Sequence, residues 1–112
     1  MDINNLFANL CASDRFGEEQ FDTLLQSDTF RLERIVSTGH ATPVGTFYDQ
    51  EWDEWVILLT GSAEIQFIDP DERIRLSPGD HLRLPAHRLH RVDATDRNEA
   101  TVWLALHYQP IR

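Results

Sequence analysis

The sequence predicts a single all-β domain, built as a sandwich or a closed barrel. Seven or eight short apolar segments follow one another from Thr29 onward, and turn residues separate them about every 8–12 residues. Residues 63–68 alternate apolar and polar side chains with a period of two, as a strand with one buried face does. No long helical pattern separates the segments, which disfavours a parallel α/β sheet. The chain has 112 residues, which is an ordinary length for a single domain.

Residues 1–28 differ from the rest of the chain, and we expect them to pack on a barrel formed by residues 29–112. Phe21, Leu24 and Leu25 stand at positions i, i+3 and i+4, which predicts a short helix. An irregular arm that docks on the barrel, or on a neighbouring subunit, is an equally good interpretation of this segment.

The predicted strands follow in chain order, each bounded by turn residues. They cover residues 30–37, 46–48, 55–59, 63–68, 74–76, 82–84, 90–92 and 100–108. The third is continuously apolar, which favours burial on both of its faces. Gly61 ends it, and the sequence Ser-Pro-Gly-Asp at 77–80 predicts a tight turn before the sixth.

Charge excludes several classes of partner. The formal net charge is −9, which would repel nucleic-acid phosphates and anionic lipid surfaces, so we expect no nucleic acid and no membrane as partners. No apolar run approaches the roughly 20 residues that span a bilayer. The single cysteine, Cys11, cannot form an intramolecular disulfide, and the first residues lack a basic and apolar leader. We therefore expect a cytoplasmic protein.

Two segments carry glycine, proline, glutamate and histidine at defined spacing. The segment 45–61 begins and ends with glycine and places Glu54 seven residues before Gly61. The segment 79–90 contains Gly79, Pro85 and His90. Together they resemble the two motifs of the cupin family, in the right order, within a similarity that covers roughly residues 30–108. The resemblance, to small single-domain RmlC-like cupins, implies a double-stranded β-helix, the jelly-roll barrel of that family.

The same resemblance implies a metal held by two histidines and a glutamate from the first motif and a histidine from the second. Glu54 and His90 match, but Tyr48 and Gln50 stand where the family has its two histidines. An amide oxygen is a weaker ligand than imidazole for most transition metals, and a phenol with a pKa near 10 must first lose its proton. Two expectations stay open: a divalent ion (Fe, Mn, Ni or Zn) held by Gln50, Glu54 and His90, or a metal-free pocket for an organic ligand.

Tyr48, His87 and His107 are the predicted substrate-binding residues of this pocket. Tyr48 and Gln50 are two residues apart, so on a strand they share one face. The side chain of His107, on the last strand, either reaches the barrel interior or has a structural role. His87 faces either the pocket mouth or solvent. Glu54 and His90 also have structural interpretations, as a carboxylate paired with arginine and as a hydrogen-bonded core histidine.

Two functions are consistent with these residues. The first is a small metal-dependent enzyme of oxygenase or isomerase type, with Tyr48 or His87 placed for proton transfer. The second is a non-catalytic module that binds or senses a small molecule. Fold alone does not decide between them. We also expect a homodimer, because the N-terminal segment and the exposed sheet edges offer surfaces for a second copy.

Overall fold

The computed structural model describes residues 1–10 and 18–110 of the chain, so Cys11 lies outside the described residues. The described part contains β-strands joined by turns and loops. The strands are β1 (Gln20–Gln26), β2 (Phe30–Ser37), β3 (Asp53–Thr60), β4 (Ala63–Phe67), β5 (Glu72–Leu76), β6 (His81–Leu84), β7 (His90–Thr95) and β8 (Thr101–Tyr108). The predicted all-β class is confirmed.

The strands form two antiparallel sheets. The larger sheet has the order β1-β2-β8-β3-β6, and the smaller has the order β5-β4-β7. Strand β8, the last in the chain, lies between β2 and β3. Most neighbours in the larger sheet are therefore far apart in sequence, as in a jelly-roll barrel.

The core lies between the two sheets and takes alternate residues from their strands. Its buried members are Val56, Leu58, Ala63, Ile65, Phe67, Leu76, Leu84, Trp103 and Ala105. Within β3, Val56 and Leu58 point into this core, whereas Trp55 and Ile57 point to the opposite face and are half-buried. The apolar run 55–59 thus fully buries one of its faces, and the other face is partly exposed.

The short helix predicted around Phe21, Leu24 and Leu25 is wrong. These residues belong to β1, which pairs antiparallel with β2 and places Phe21 opposite Ile35. A helix this short is marginal by itself, whereas β2 offers a complete row of backbone partners. A bulge near Leu24 interrupts the register, which explains why apolar side chains here do not alternate strictly.

Arg34 fixes the N-terminal segment to the outer face of the larger sheet. Its guanidinium donates to the carbonyl oxygens of Leu6 (2.8 Å) and Ala8 (2.6 Å) and to the carboxylate of Asp22 (2.6 Å). Arg34 is buried, and its hydrogen bond holds the pKa of the Asp22 carboxyl below its ordinary value. No helix in the described residues has the length and apolarity needed to cross a membrane.

Gly61, in the turn between β3 and β4, faces the closest backbone approach of any glycine in the described residues. Its φ is +81°, and a Cβ built there would lie 2.7 Å from Thr101 Cα. Gly45 has the same φ of +81°, but a Cβ added to it would have no atom within 4 Å. Substitutions at these two glycines therefore distinguish the free-energy cost of backbone strain from that of a steric clash.

We expect Gly61→Ala to lower the free energy of unfolding by about 3 kcal/mol, because it combines left-handed strain with a clash against a buried strand. Gly45→Ala carries only the strain and should cost about 1 kcal/mol. Urea denaturation followed by circular dichroism measures both. Equal losses in the two variants would contradict a steric role for Thr101.

The outer face of the larger sheet carries an apolar patch. Leu25, Leu32, Leu106 and Trp55 pair in one cross-strand row. Leu25 is 58% exposed, and the other three are half-buried. An exposed apolar surface of this kind is typical of an interface.

We propose that this patch contributes to the homodimer expected from the sequence. Leu25→Glu should weaken dimerisation at least about tenfold, because it places a charge in a surface that dimerisation would remove from water. Val44→Glu is the control, since Val44 is 97% exposed in the loop between β2 and β3. Sedimentation velocity at micromolar concentration measures both. A monomeric wild-type protein would contradict the proposal.

Candidate functional site

A pocket opens between the two sheets, with about 650 Å³ of empty space when its open mouth is included. Apolar core side chains form much of its wall. Its polar side chains are Glu19, Glu33, Tyr48, Gln50, Glu54, His90 and His107. The structure thus brings five of the six predicted site residues into one cavity.

Strand register places Glu54 and His107 side by side. Glu54, the second residue of β3, lies opposite His107 of β8 and opposite Leu84 of β6. Because β3 is flanked on both sides, Glu54 is only 6% exposed. Its neighbour in sequence, Asp53, is held by the Ala86 backbone N–H at 2.7 Å and by Arg83 at 3.2 Å. These bonds fasten the start of β3 to β6 and to the turn after it.

The imidazole of His107 lies between two buried carboxyl groups. Its Nε2 is 2.9 Å from Glu33 Oε1, and its Nδ1 is 3.8 Å from Glu54 Oε1. Glu33 is 9% exposed, and it enters the site from β2, the other neighbour of β8. When Nε2–H donates to Glu33, Nδ1 of the neutral ring presents its lone pair toward Glu54.

Burial raises the pKa of the Glu54 carboxyl above its ordinary value of 4.5. The nearby imidazoles of His107 and His90 and a hydrogen bond from Gln50 act in the opposite direction, and Glu33 adds to the rise. Burial dominates because the charged form loses its hydration in the pocket. Such a carboxyl can hold or accept a proton nearer to neutral pH than an exposed one.

His90 occupies the opposite wall, at the start of β7. Its Nδ1 lies 3.1 Å from the Arg88 carbonyl oxygen, so Nδ1–H donates and Nε2 is left as an acceptor in the neutral ring. A single antiparallel bridge joins it to Tyr48, the only part of the predicted strand 46–48 that forms in the described residues. The Tyr48 and His90 ring centroids are 5.5 Å apart.

The structure does not bring His87 into this pocket. The residue has a φ of +63° in the turn before β7, and its side chain is 67% exposed. Its Nδ1 lies 2.8 Å from the exposed carboxylate of Asp49. The turn directs His87 to the outer surface, in agreement with the solvent-facing alternative.

Sequence reasoning missed Glu33, Glu19 and Phe21 as pocket residues. Glu33 follows Arg31 and precedes Ile35 on one face of β2, and the charged pair made that face look like the wetter one. The family motifs begin after all three residues, so the resemblance gave no signal for them. The sequence of β2, with arginines at 31 and 34 around Glu33, gave no signal that this glutamate is buried.

The sequence matches the family model for the cupin domain over residues 36–107. The chain belongs to the cupin family. The match includes Tyr48, Gln50, Glu54, His90 and His107 but begins after Glu33. A comparison with the curated proteins found no significant match.

Solved structures resemble this one along nearly the whole chain. A "putative mannose-6-phosphate isomerase" from Ralstonia eutropha JMP134 is 41% identical, with a TM-score of 0.91 and coverage of 98% of this chain and 100% of that one. A cupin superfamily protein from Desulfitobacterium hafniense DCB-2 is 23% identical (TM-score 0.72; 98% and 100% covered). An RmlC-like cupin from Desulfovibrio desulfuricans is 21% identical (TM-score 0.73; 99% of each covered). The last two likenesses concern the fold alone.

The donors of this cupin pocket do not fit the metal centre that the family resemblance implies. Transition-metal sites generally need three or more converging imidazole, thiolate or carboxylate donors. Within residues 1–10 and 18–110, no three His, Cys, Asp or Glu side chains are arranged to hold an ion. Gln50 directs its amide to Glu54, and His107 is bonded to Glu33. The metal-ligand role of Gln50, Glu54 and His90 therefore stays a sequence-based prediction, which the arrangement of these donors does not support.

Glu54→Gln should change how the stability of this cupin depends on pH. Because the folded pKa of Glu54 is raised, the stabilisation from its protonated form is complete below pH 4.5 and is lost as pH rises through the folded pKa. The glutamine of the variant has no proton to lose, so the variant keeps its stability as pH rises. The free energy of unfolding of the variant minus that of wild type should therefore increase by about 1 kcal/mol between pH 4.5 and a pH above the folded pKa of Glu54.

Urea denaturation at a series of pH values measures the difference between the two proteins. Glu99→Gln is the control for loss of a carboxyl group outside the pocket, since Glu99 is exposed and does not line it. A Glu54→Gln difference that falls as pH rises would contradict the raised pKa.

Proposed function

We propose that this cupin binds a small carbonyl compound and moves a proton on and off it with Glu54, in an isomerase-type reaction. One observation carries the proposal: a buried carboxyl with a raised pKa faces His107, which is bonded to Glu33, inside an open pocket. Paired titratable groups in contrasting environments are typical of acid–base sites.

The proposed step needs only groups of this chain. The Glu54 carboxylate takes a proton from the carbon next to the ligand carbonyl, and the bonding electron pair moves to the carbonyl oxygen. The Tyr48 hydroxyl, which also lines the pocket, donates a proton to that oxygen. The ligand carries a hydroxyl on the carbon that loses the proton. Glu54 returns its proton to the former carbonyl carbon, while that hydroxyl gives its proton to the Tyr48 oxygen and becomes the new carbonyl. Both residues are thereby restored, and the isomer forms with no net change in atoms or electrons.

His107 and Glu33 have a positioning role in this proposal. The Glu33 carboxylate holds Nε2–H, so the Nδ1 lone pair stays directed toward Glu54. When Glu54 is protonated, its O–H therefore faces Nδ1 of His107, which is a hydrogen-bond acceptor in this tautomer. His90, with Nδ1–H held by Arg88, presents an acceptor to a ligand hydroxyl.

The printed name of the 41% identical relative agrees with this reaction class. An isomerase that interconverts an aldose and a ketose moves a proton between adjacent carbons, which is the chemistry proposed for Glu54. The alternative without catalysis, a binding or sensing pocket, needs no proton acceptor. The buried position of Glu54 beside His107 favours the catalytic proposal.

Deuterium exchange tests the proposal without a known substrate. Fructose, fructose 6-phosphate and 2-hydroxyacetophenone each carry exchangeable hydrogens next to a carbonyl, and NMR in deuterium oxide follows their loss. We expect at least one probe to exchange faster with the protein, and Glu54→Gln to slow this catalysed exchange by at least about 100-fold.

His87→Ala is the matched control and should keep the wild-type exchange rate, since His87 lies outside the pocket. Exchange should also survive treatment of the protein with a chelator, because no step uses a metal. Absence of catalysed exchange with all three probes, or full activity in Glu54→Gln, would contradict the proposal.

A further inference from the structure

The charged side chains that line the barrel pocket are carboxylates. Glu19, Glu33 and Glu54 contribute to the lining, and no arginine does so among the described residues. Glu19 accepts a hydrogen bond from Ser37, which in turn accepts one from the Trp103 indole N–H at 3.1 Å. The pocket therefore offers its ligand acceptors and negative charge on several sides.

Arg31, a cation beside this lining, forms an ion pair with Glu33, although its buried Nε has no hydrogen-bond partner among the described residues. Arg31 Nε lies 3.6 Å from Glu33 Oε2, and the Arg31 side chain lines a shallow surface cleft beside the pocket, together with Glu51 and His107. A phosphate bound to Arg31 would compete with Glu33 and lie near Glu51. The negative charges of Glu33 and Glu51 would repel the phosphate, and this repulsion is stronger in a cleft than in bulk water.

An apolar surface leads into the pocket from its open side. Phe21 of β1 lines the pocket and is 55% exposed, because β1 extends the larger sheet beyond the smaller one. Ile35, its cross-strand partner, and Trp103 continue the apolar wall inward. Concave apolar walls around a few convergent polar groups are typical of small-molecule sites.

We propose that the pocket selects a small molecule with an apolar or aromatic body and a hydroxyl or amino head, and that it rejects phosphorylated and carboxylated ligands. The head donates hydrogen bonds to Glu33 and Glu54, and the body lies against Phe21 and Trp103. The inference rests on the proposed function only in placing the ligand in this pocket. It separates this protein from the phosphorylated substrate in the printed name of its relative.

Four probes with one aromatic ring and different heads test the selection: phenethylamine, 2-phenylethanol, phenylacetate and phenyl phosphate. Titrations are followed by the NMR signal of the Trp103 indole N–H, assigned with Trp103→Phe. We expect phenethylamine and 2-phenylethanol to bind at least about tenfold more tightly than phenylacetate or phenyl phosphate.

Glu33→Gln should reduce the difference in affinity between the two favoured probes and the two anionic probes. The substitution removes one negative charge from the pocket and removes the ion-pair partner of Arg31. Glu64→Gln is the charge control, since Glu64 is exposed on β4 outside the pocket, and it should keep the wild-type ratio. Thermal unfolding checks that both variants are folded.

Phe21→Ala should weaken both favoured probes by a similar factor, because it removes apolar contact and leaves the carboxylates in place. Phe7→Ala is the matched control: Phe7 is 50% exposed, close to the 55% of Phe21, but does not line the pocket.

Tighter or equal binding of phenylacetate or phenyl phosphate would overturn the proposed ligand class, as would no response of Trp103 to any of the four probes. The relative affinities of the probes and the response of the Trp103 signal are both measured without catalytic turnover. A protein that shows the expected binding ratio but no deuterium exchange would keep the ligand class and lose the isomerase proposal.

Discussion

A carboxyl group inside a β-barrel costs free energy unless its neighbours hydrogen-bond it or it stays protonated. Glu54 meets this constraint in β3 of the larger sheet, where β6 and β8 flank it on both sides. Gln50 donates to it, and His107 faces it with a nitrogen that Glu33 helps to orient. Strand register places His107 beside this buried acid, and the chemistry proposed for the pocket rests on the raised pKa of Glu54.

The pairing of β3 with β8 connects this chemistry to the stability of the fold. At one end of the pair, Glu54 lies opposite His107. At the other end, the absence of a side chain at Gly61 lets the turn after β3 approach the Thr101 backbone. The motif residues Glu54 and Gly61 thus lie at opposite ends of β3, and the pairing of this strand with β8 places the acid beside its histidine.

Membership of the cupin family leaves the chemistry of the pocket open, because the side chains differ where the family usually binds metal. Tyr48 and Gln50 stand at two positions that the family resemblance assigns to metal ligands. The donors form separate hydrogen-bonded pairs, Gln50 with Glu54 and His107 with Glu33. Carboxylates then dominate the charge of the cavity, and its wall stays apolar around Trp103. Fold similarity therefore supports the barrel, whereas its selectivity has to be argued from these particular side chains.

The sequence by itself determined most strands from Phe30 onward, because alternation is a local pattern. The resemblance to the cupin motifs implied that Glu54 and His90 share one pocket, and both residues line it. Only the tertiary structure decided that Phe21 belongs to a strand and that Glu33 meets His107. Those two residues are 74 positions apart, and they meet because β8 pairs with both β2 and β3. Nothing in the local sequence of β2 encodes that pairing; burial of the whole barrel core does.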